Sequence, residues 1–142
     1  MKIRSSIVFL VVTVLGVALI CNAQGQMRRG AGKCSNYDPK TEMTMPGTVE
    51  EVTQLASGHG WHGTHLTVKT DAGTFDVHLG PADFVAGQQF AFAKGDKIEV
   101  TGSKVNMQGT DVILAREVKK DGKTLVLRNA QGVPNWAAGH CW

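Results

Sequence analysis

Hydrophobic and polar residues alternate along most of the chain after residue 43, with the period of two that is typical of half-buried β-strands. Glycine, asparagine and aspartate interrupt the alternation where turns are expected. The alternating segments are Met45–Val52, His65–Thr70, Thr74–Leu79, Lys97–Val105, Asp111–Val118 and Thr124–Asn129. The chain is therefore predicted to be mostly β.

The segment between the third and fourth strands has a different spacing, which predicts a short helix near residues 82–90. Pro81 suits the first turn of a helix, and Phe84, Val85 and Gln88 lie about one turn apart. Five short strands with a helix between the third and the fourth is the order of an OB-fold barrel. The predicted fold class is all-β: a five-stranded OB-fold-like barrel with one short helix, irregular tails and no parallel strands.

A single barrel core must receive the apolar face of every strand, so the alternation also predicts which side chains are buried. The predicted core residues are Val49, Leu66, Val68, Val77, Leu79, Ile98, Val100, Ile113 and Val118. Replacement of any fully buried Leu or Ile by Ala should cost about 2–5 kcal/mol of folding free energy.

In the hairpin formed by the second and third strands, the apolar residues of both strands must face the same side. We expect Val68 opposite Val77 and Leu66 opposite Leu79, with a four-residue loop over Asp71–Thr74. The residues between the apolar positions, His65, Thr67, Lys69, Asp76 and His78, then all point away from the core. In this register the two histidines are diagonal neighbours, within about 8 Å at the backbone.

The first residues resemble an export signal. Lys2 and Arg4 precede an apolar run from Ile7 to Ile20, which is shorter than the roughly 20 residues needed to cross a bilayer. We expect residues 1–23 to be a signal peptide, followed by a flexible arm (24–42), the barrel (43–129) and a C-terminal tail (130–142). The predicted localisation is periplasmic or secreted, and a lipoprotein anchored at Cys21 is the alternative.

Loss of the leader changes the charge and the cysteine count. The full chain has 15 basic and 12 acidic residues, and removing Lys2 and Arg4 leaves 13 against 12, a net charge of +1. This balance does not favour duplex nucleic acid as a partner. Cys34 and Cys141 remain, and in an oxidising compartment we expect a disulfide, which would add about 4 kcal/mol in the chain-entropy model.

The chain resembles a group of small exported bacterial OB-fold proteins of unassigned role. The similarity is carried mainly by VHLGP, KGDKIEVTGS and AREV, and it extends from about Tyr37 to Trp136. The chain is more distantly similar to the periplasmic bacterial OB-fold family associated with stress responses. The resemblance implies the fold and not a particular ligand, because OB-folds host many unrelated binding roles.

Histidines concentrate in and beside the segment SGHGWHGTHLTV, residues 57–68. OB-folds commonly bind ligands on the face of strands two and three and in the first inter-strand loop. The candidate ligand-binding residues are Trp61, His65, Thr67, Lys69, Asp76 and His78. A transition-metal (Zn or Cu) site of His59, His62, His65 and His78 is the alternative. A third interpretation is that the loop is mobile and the histidines are surface residues without a ligand.

The predicted function is a non-catalytic, exported OB-fold binding module without a cofactor. The chain has no G-x-S-x-G, Walker or H-E-x-x-H motif, so no enzymatic activity is expected. The expected partner is an unknown protein, small molecule or other component of the cell envelope. No membrane span is expected in the mature chain, and single-stranded nucleic acid is disfavoured by the small number of free aromatic residues and the near-neutral charge.

Overall fold

Six strands and one short helix make up the fold. The structure, a computed structural model, describes residues 36–56 and 62–136. The elements in chain order are a single 3₁₀ turn at Pro39–Thr41, β1 (Glu42–Ala56), β2 (His62–Thr70), β3 (Gly73–Pro81), α1 (Ala82–Gly87), β4 (Lys97–Met107), β5 (Thr110–Lys120) and β6 (Lys123–Val126). The predicted all-β, OB-like barrel with a helix between β3 and β4 is confirmed.

Five of the strands close into a ring in the order β3-β2-β1-β4-β5, with β3 returning to pair with β5. The β3–β5 ladder is parallel, and it joins Asp76, Val77 and His78 to Val112, Ile113 and Leu114. The expectation of no parallel strands is therefore wrong at this pair. The reason is geometric: strand direction reverses at every antiparallel step, so a closed ring with an odd number of strands cannot be antiparallel throughout. β6 lies outside the ring and pairs with the end of β5.

The predicted core is confirmed at all nine positions, each of which is no more than 5% exposed. Phe75, Phe84, Phe90, Phe92 and Trp136 pack around the same core from its margins. The alternation identified these residues because a barrel strand has one face toward the core, so the side of each residue follows from its place in the strand.

The register of the second hairpin differs from the predicted one by two residues. Leu66 faces Val77 and Val68 faces Phe75, and the turn contains only Asp71 and Ala72. The prediction of a four-residue loop is wrong because Gly73, at φ +128°, continues the ladder opposite Thr70. The shorter turn brings Gly73 and Thr74 into the ladder opposite Thr70 and Lys69. A shift of two preserves the face of every side chain, so the apolar sets still point inward.

The segments flanking the barrel pack against it. Tyr37, in the segment predicted as a flexible arm, is only 6% exposed and packs with Val112 and Leu114. A β-carbon on Gly132 would overlap the Tyr37 ring, so the segments before β1 and after β6 lie in contact. The predicted signal peptide and both cysteines of the predicted disulfide lie outside the described residues. Within residues 36–56 and 62–136, no helix combines the length and hydrophobicity needed to cross a bilayer.

Candidate metal centre

Two histidines face each other across the second hairpin. His65 on β2 and His78 on β3 are direct cross-strand partners, and their ring centroids are 4.0 Å apart with the planes inclined at 58°. Their side chains are 17% and 21% exposed, so both imidazoles are largely withdrawn from water without entering the core. The sequence predicted that both histidines lie on the outer face of the hairpin. The direct pairing follows from the two-residue turn, which brings the rings closer than the predicted diagonal arrangement.

Asp76 brings a carboxylate to the same place. It precedes His78 by two residues, and alternation along a strand puts both side chains on one face. One carboxylate oxygen lies 3.2 Å from His78 Nε2, and the other lies 3.7 Å from His65 Nδ1. We call His65, Asp76 and His78 the histidine cluster. It is the only group of three or more metal-ligating residues found in the part of the chain that the structure describes.

His65 has a ring nitrogen that is buried and lacks a hydrogen-bond partner. Its Nδ1 is shielded from water, and the 3.7 Å to Asp76 is too long for a hydrogen bond. Leaving a buried polar group unsatisfied generally costs about 1–3 kcal/mol. Gly63 provides the space for the other side of the ring, since a β-carbon there would approach His65 Nε2 to 3.1 Å.

Burial also controls the charge of His65. Desolvation lowers the pKa of His65 below its ordinary value of 6.5, the nearby His78 lowers it further, and Asp76 opposes both effects. At neutral pH this imidazole is therefore uncharged. A neutral ring nitrogen is the form that binds a metal ion.

The cluster has nearly the dimensions that a metal ion requires. One ligand atom from each of the three residues can be chosen so that all lie within 4.8 Å of one another. With metal–ligand bonds of about 2.0–2.2 Å, two ligands of one ion are at most about 4.4 Å apart. A bound ion would therefore require side-chain rotations that close this difference. Asp76 is 45% exposed, so its carboxylate has room to move.

The other predicted site residues lie at different distances from this cluster. Thr67 is opposite Asp76 in the hairpin register and shares the outer face, and Lys69 lies further along the same face. His62 is exposed at the start of β2, where alternation directs its side chain to the face opposite that of His65. His59 and Trp61 lie outside the described residues, so their proposed contributions stay predictions.

Sequence reasoning did not include Asp76 among the candidate metal ligands, although it placed the residue on the correct face. The signal was available in the spacing Asp76-x-His78, because residues two apart on a strand point the same way. Reasoning from histidines alone instead proposed His62, which lies three residues from His65 and therefore faces the other way.

Comparison with known proteins shows which family the chain belongs to. One similar solved structure is the mitochondrial single-stranded DNA-binding protein from S. cerevisiae, which is 12% identical, with a TM-score of 0.45 and coverage of 65% of this chain and 98% of that chain. The comparison with curated proteins found no match, and the similarity to the periplasmic stress-associated family is not shown. The model of the MamS/MamX magnetosome protein family matches residues 41–125, from the end of the 3₁₀ turn into β6. Because this match covers more than half of the chain, the chain belongs to the MamS/MamX magnetosome protein family.

Proposed function

We propose that this protein is an exported, non-catalytic OB-like module that binds a divalent transition-metal ion on the outer face of β2 and β3. The ligands are His65, Asp76 and His78. The sequence favoured a protein or envelope component as the ligand, with the metal ion as the alternative. The position of Asp76 supports the metal ion, because it supplies the carboxylate that the histidine set lacked.

The observation that carries the proposal is the unsatisfied Nδ1 of His65 beside Asp76 and His78. A group held out of water without a partner destabilises the fold unless a ligand satisfies it. A metal ion among the three residues would bond to an imidazole of low proton affinity and to a carboxylate that already faces it.

The donor set indicates the class of metal. Two imidazoles and one carboxylate suit Zn²⁺ and Cu²⁺, and the same set with open positions suits Fe²⁺. Mg²⁺ and Ca²⁺ prefer oxygen ligands and should compete poorly. Three protein ligands on one face leave the remaining positions of the ion open to water or to a partner's ligand.

The leader-like residues 1–23 and the family description support the setting of this function. We propose that the chain is exported to the periplasm or another extracytoplasmic space and acts in association with magnetosomes. Fractionation of cells that produce the full-length chain, followed by sequencing of the mature N-terminus, tests export. A new N-terminus at Gln24 is expected, and an uncleaved or lipidated product would contradict the predicted processing.

Metal titration of the untagged full-length protein tests the proposed site. We expect one equivalent of Zn²⁺ or Cu²⁺ to bind with a micromolar or lower dissociation constant. The His65→Ala/His78→Ala double variant should weaken binding by more than the roughly 10- to 100-fold that is typical of altering residues outside the ligand set. Asp76→Asn should also weaken binding, because it removes the anionic ligand while preserving size.

His62→Ala is the matched control, since it removes an exposed histidine of the same strand from the opposite face. It should leave the affinity unchanged. Binding that survives the double variant but is lost in His62→Ala or His59→Ala would locate the site in the loop and overturn the proposal. No binding by the wild-type protein would also overturn it.

A further inference from the structure

Arg128, just after β6, is a buried cation with an unusual set of partners. The residue is 5% exposed. Its Nη1 donates hydrogen bonds to the carbonyl of Leu79, at 3.1 Å, and to the carbonyl of Ala115. The guanidinium carbon lies 4.9 Å from the centroid of the Trp136 ring. Among the described residues, Arg128 forms no ion pair with a carboxylate.

The two carbonyls mark the point where the barrel closure ends. The parallel ladder between β3 and β5 stops at the pair His78–Leu114, and Leu79 and Ala115 are the next residues on each strand. Leu79 is also inserted without a partner on β2, because the register shifts between His65–His78 and Thr64–Gly80. A bulge of this kind interrupts the ladder and bends the strand. Arg128 therefore bridges β3 and β5 where their ladder ends, beside the bulge in the β2–β3 ladder.

Retaining a cation at this position is costly. Burial without a carboxylate partner lowers the pKa of Arg128 to about 10, and its Nε has no hydrogen-bond partner in the described structure. An apolar side chain of similar length would avoid the desolvation of a charge. It would, however, remove the hydrogen-bond donor from the carbonyls of Leu79 and Ala115. These two residues directly follow His78 and Leu114.

We propose that Arg128 is a positioning residue for the metal centre: by joining the carbonyls of Leu79 and Ala115, it fixes the end of β3 and thereby holds His78 opposite His65. The inference rests on the proposed function for its chemistry, but its geometric part concerns the metal-free protein as well. Arg128 contacts no ligand of the ion. It acts through the backbone of the residue that follows His78.

The test compares Arg128→Met and Arg128→Lys with Val100→Ala in the full-length protein. Methionine keeps the length of the side chain and removes every donor, while lysine keeps a charge and a donor that can reach one carbonyl. Val100→Ala is the matched control for general loss of stability, because this buried residue lies on β4 and pairs with neither β2 nor β3. The readouts are the Cu²⁺ dissociation constant, the Cu²⁺ EPR spectrum and nuclear Overhauser effects between the two imidazoles in the metal-free protein.

Arg128→Met should weaken Cu²⁺ binding by about 10- to 100-fold, as is typical for residues that orient metal ligands, and should alter the EPR spectrum. Arg128→Lys should show an intermediate loss, and Val100→Ala should leave affinity and spectrum unchanged. Wild-type affinity and spectrum in Arg128→Met, or an equal loss in Val100→Ala, would overturn the inference. If Arg128→Met does not fold, Arg128→Lys decides by the same criteria.

If the wild-type protein binds no metal, the proposed function is wrong, and the metal-free measurement still decides the geometric part. Contacts between the His65 and His78 rings should then weaken in the Arg128 variants and persist in Val100→Ala. Unchanged ring contacts in all variants would refute a positioning role for Arg128.

Discussion

Among the polar clusters outside the barrel core in the described residues, two differ clearly in how fully their groups are bonded. In the first, which we call the tyrosine–arginine cluster, Arg116 donates from Nε and Nη2 to the two carboxylate oxygens of Glu42, at 2.9 and 3.1 Å, and from Nη1 to Glu117 at 3.1 Å. Tyr37 donates its hydroxyl to Glu42. In the histidine cluster, by contrast, two imidazoles share one partly exposed carboxylate, and one buried nitrogen has no partner.

The comparison separates a structural role from a binding role. Bidentate pairing of arginine with a carboxylate gives two charge-assisted bonds in one fixed geometry, and in this protein it connects the start of β1 to β5. The histidine cluster gains less from its own contacts, since Asp76 lies within hydrogen-bond distance of His78 only and Nδ1 of His65 has no partner. Under the proposed function, a metal ion bonded by all three residues accounts for its arrangement.

Gly132→Ala should destabilise the fold more than substitutions in either polar cluster. A β-carbon at Gly132 would overlap the Tyr37 ring, and the φ of +81° is unfavourable for any other L-residue. Overpacking and backbone strain together should lower the free energy of unfolding by about 2–4 kcal/mol, as measured by urea denaturation. Gly122→Ala is the control, because it has a similar φ of +74° and open space around it. Equal losses in both variants would show that contact with Tyr37 contributes nothing.

Glu42→Gln should have a smaller effect that depends on pH. Hydrogen bonds from Arg116 and then from Tyr37 lower the pKa of Glu42 below its ordinary value of 4.5. A carboxylate whose pKa is lowered in the folded state stabilises the fold at pH values above its ordinary pKa. This contribution is lost as the pH falls through the folded-state pKa. Because the side chains of Glu42 and Arg116 are both partly exposed, we expect Glu42→Gln to lower the free energy of unfolding by about 1 kcal/mol at pH 7. The difference from wild type should shrink toward pH 3 in acid-titrated denaturation curves; a difference that stays constant with pH would contradict this account.

The His65→Ala/His78→Ala double variant should have the smallest effect on the metal-free protein. Because relief of the unsatisfied buried nitrogen offsets the lost packing of the two rings, removal of both histidines should change the unfolding free energy by less than about 1 kcal/mol. Excess Zn²⁺ should raise the melting temperature of the wild-type protein and not of the variant. A loss as large as that of Gly132→Ala would show that the histidines are structural and would remove the contrast between the two clusters.

The sequence predicted the parts of this fold that depend on local alternation. The core positions and the outward orientation of His65, Asp76 and His78 follow from which residues are apolar, so an error of two in register did not change them. The predicted loop was wrong because Gly73 continues β3, which cannot be read from the turn residues alone. The parallel β3–β5 ladder was missed although a closed ring of five strands requires it.

The bonding of the candidate site was less accessible from sequence. The distances among His65, Asp76 and His78 depend on the register that the two-residue turn imposes. The bonds of Arg128 depend on two carbonyls, 49 and 13 residues away along the chain. No local pattern indicates a contact at such separation, because it arises only when β3 and β5 meet. The predicted Cys34–Cys141 disulfide stays a prediction, which a thiol count on exported protein can test.

Anomalous X-ray diffraction from crystals of the untagged protein grown with one equivalent of Zn²⁺ tests the central claim most directly. We expect a single strong anomalous peak at the zinc edge, about 2.0–2.2 Å from one nitrogen each of His65 and His78 and from a carboxylate oxygen of Asp76. A zinc ion bonded to other residues would contradict this claim. The absence of an anomalous peak at the histidine cluster, in crystals grown with one equivalent of Zn²⁺, would also contradict it.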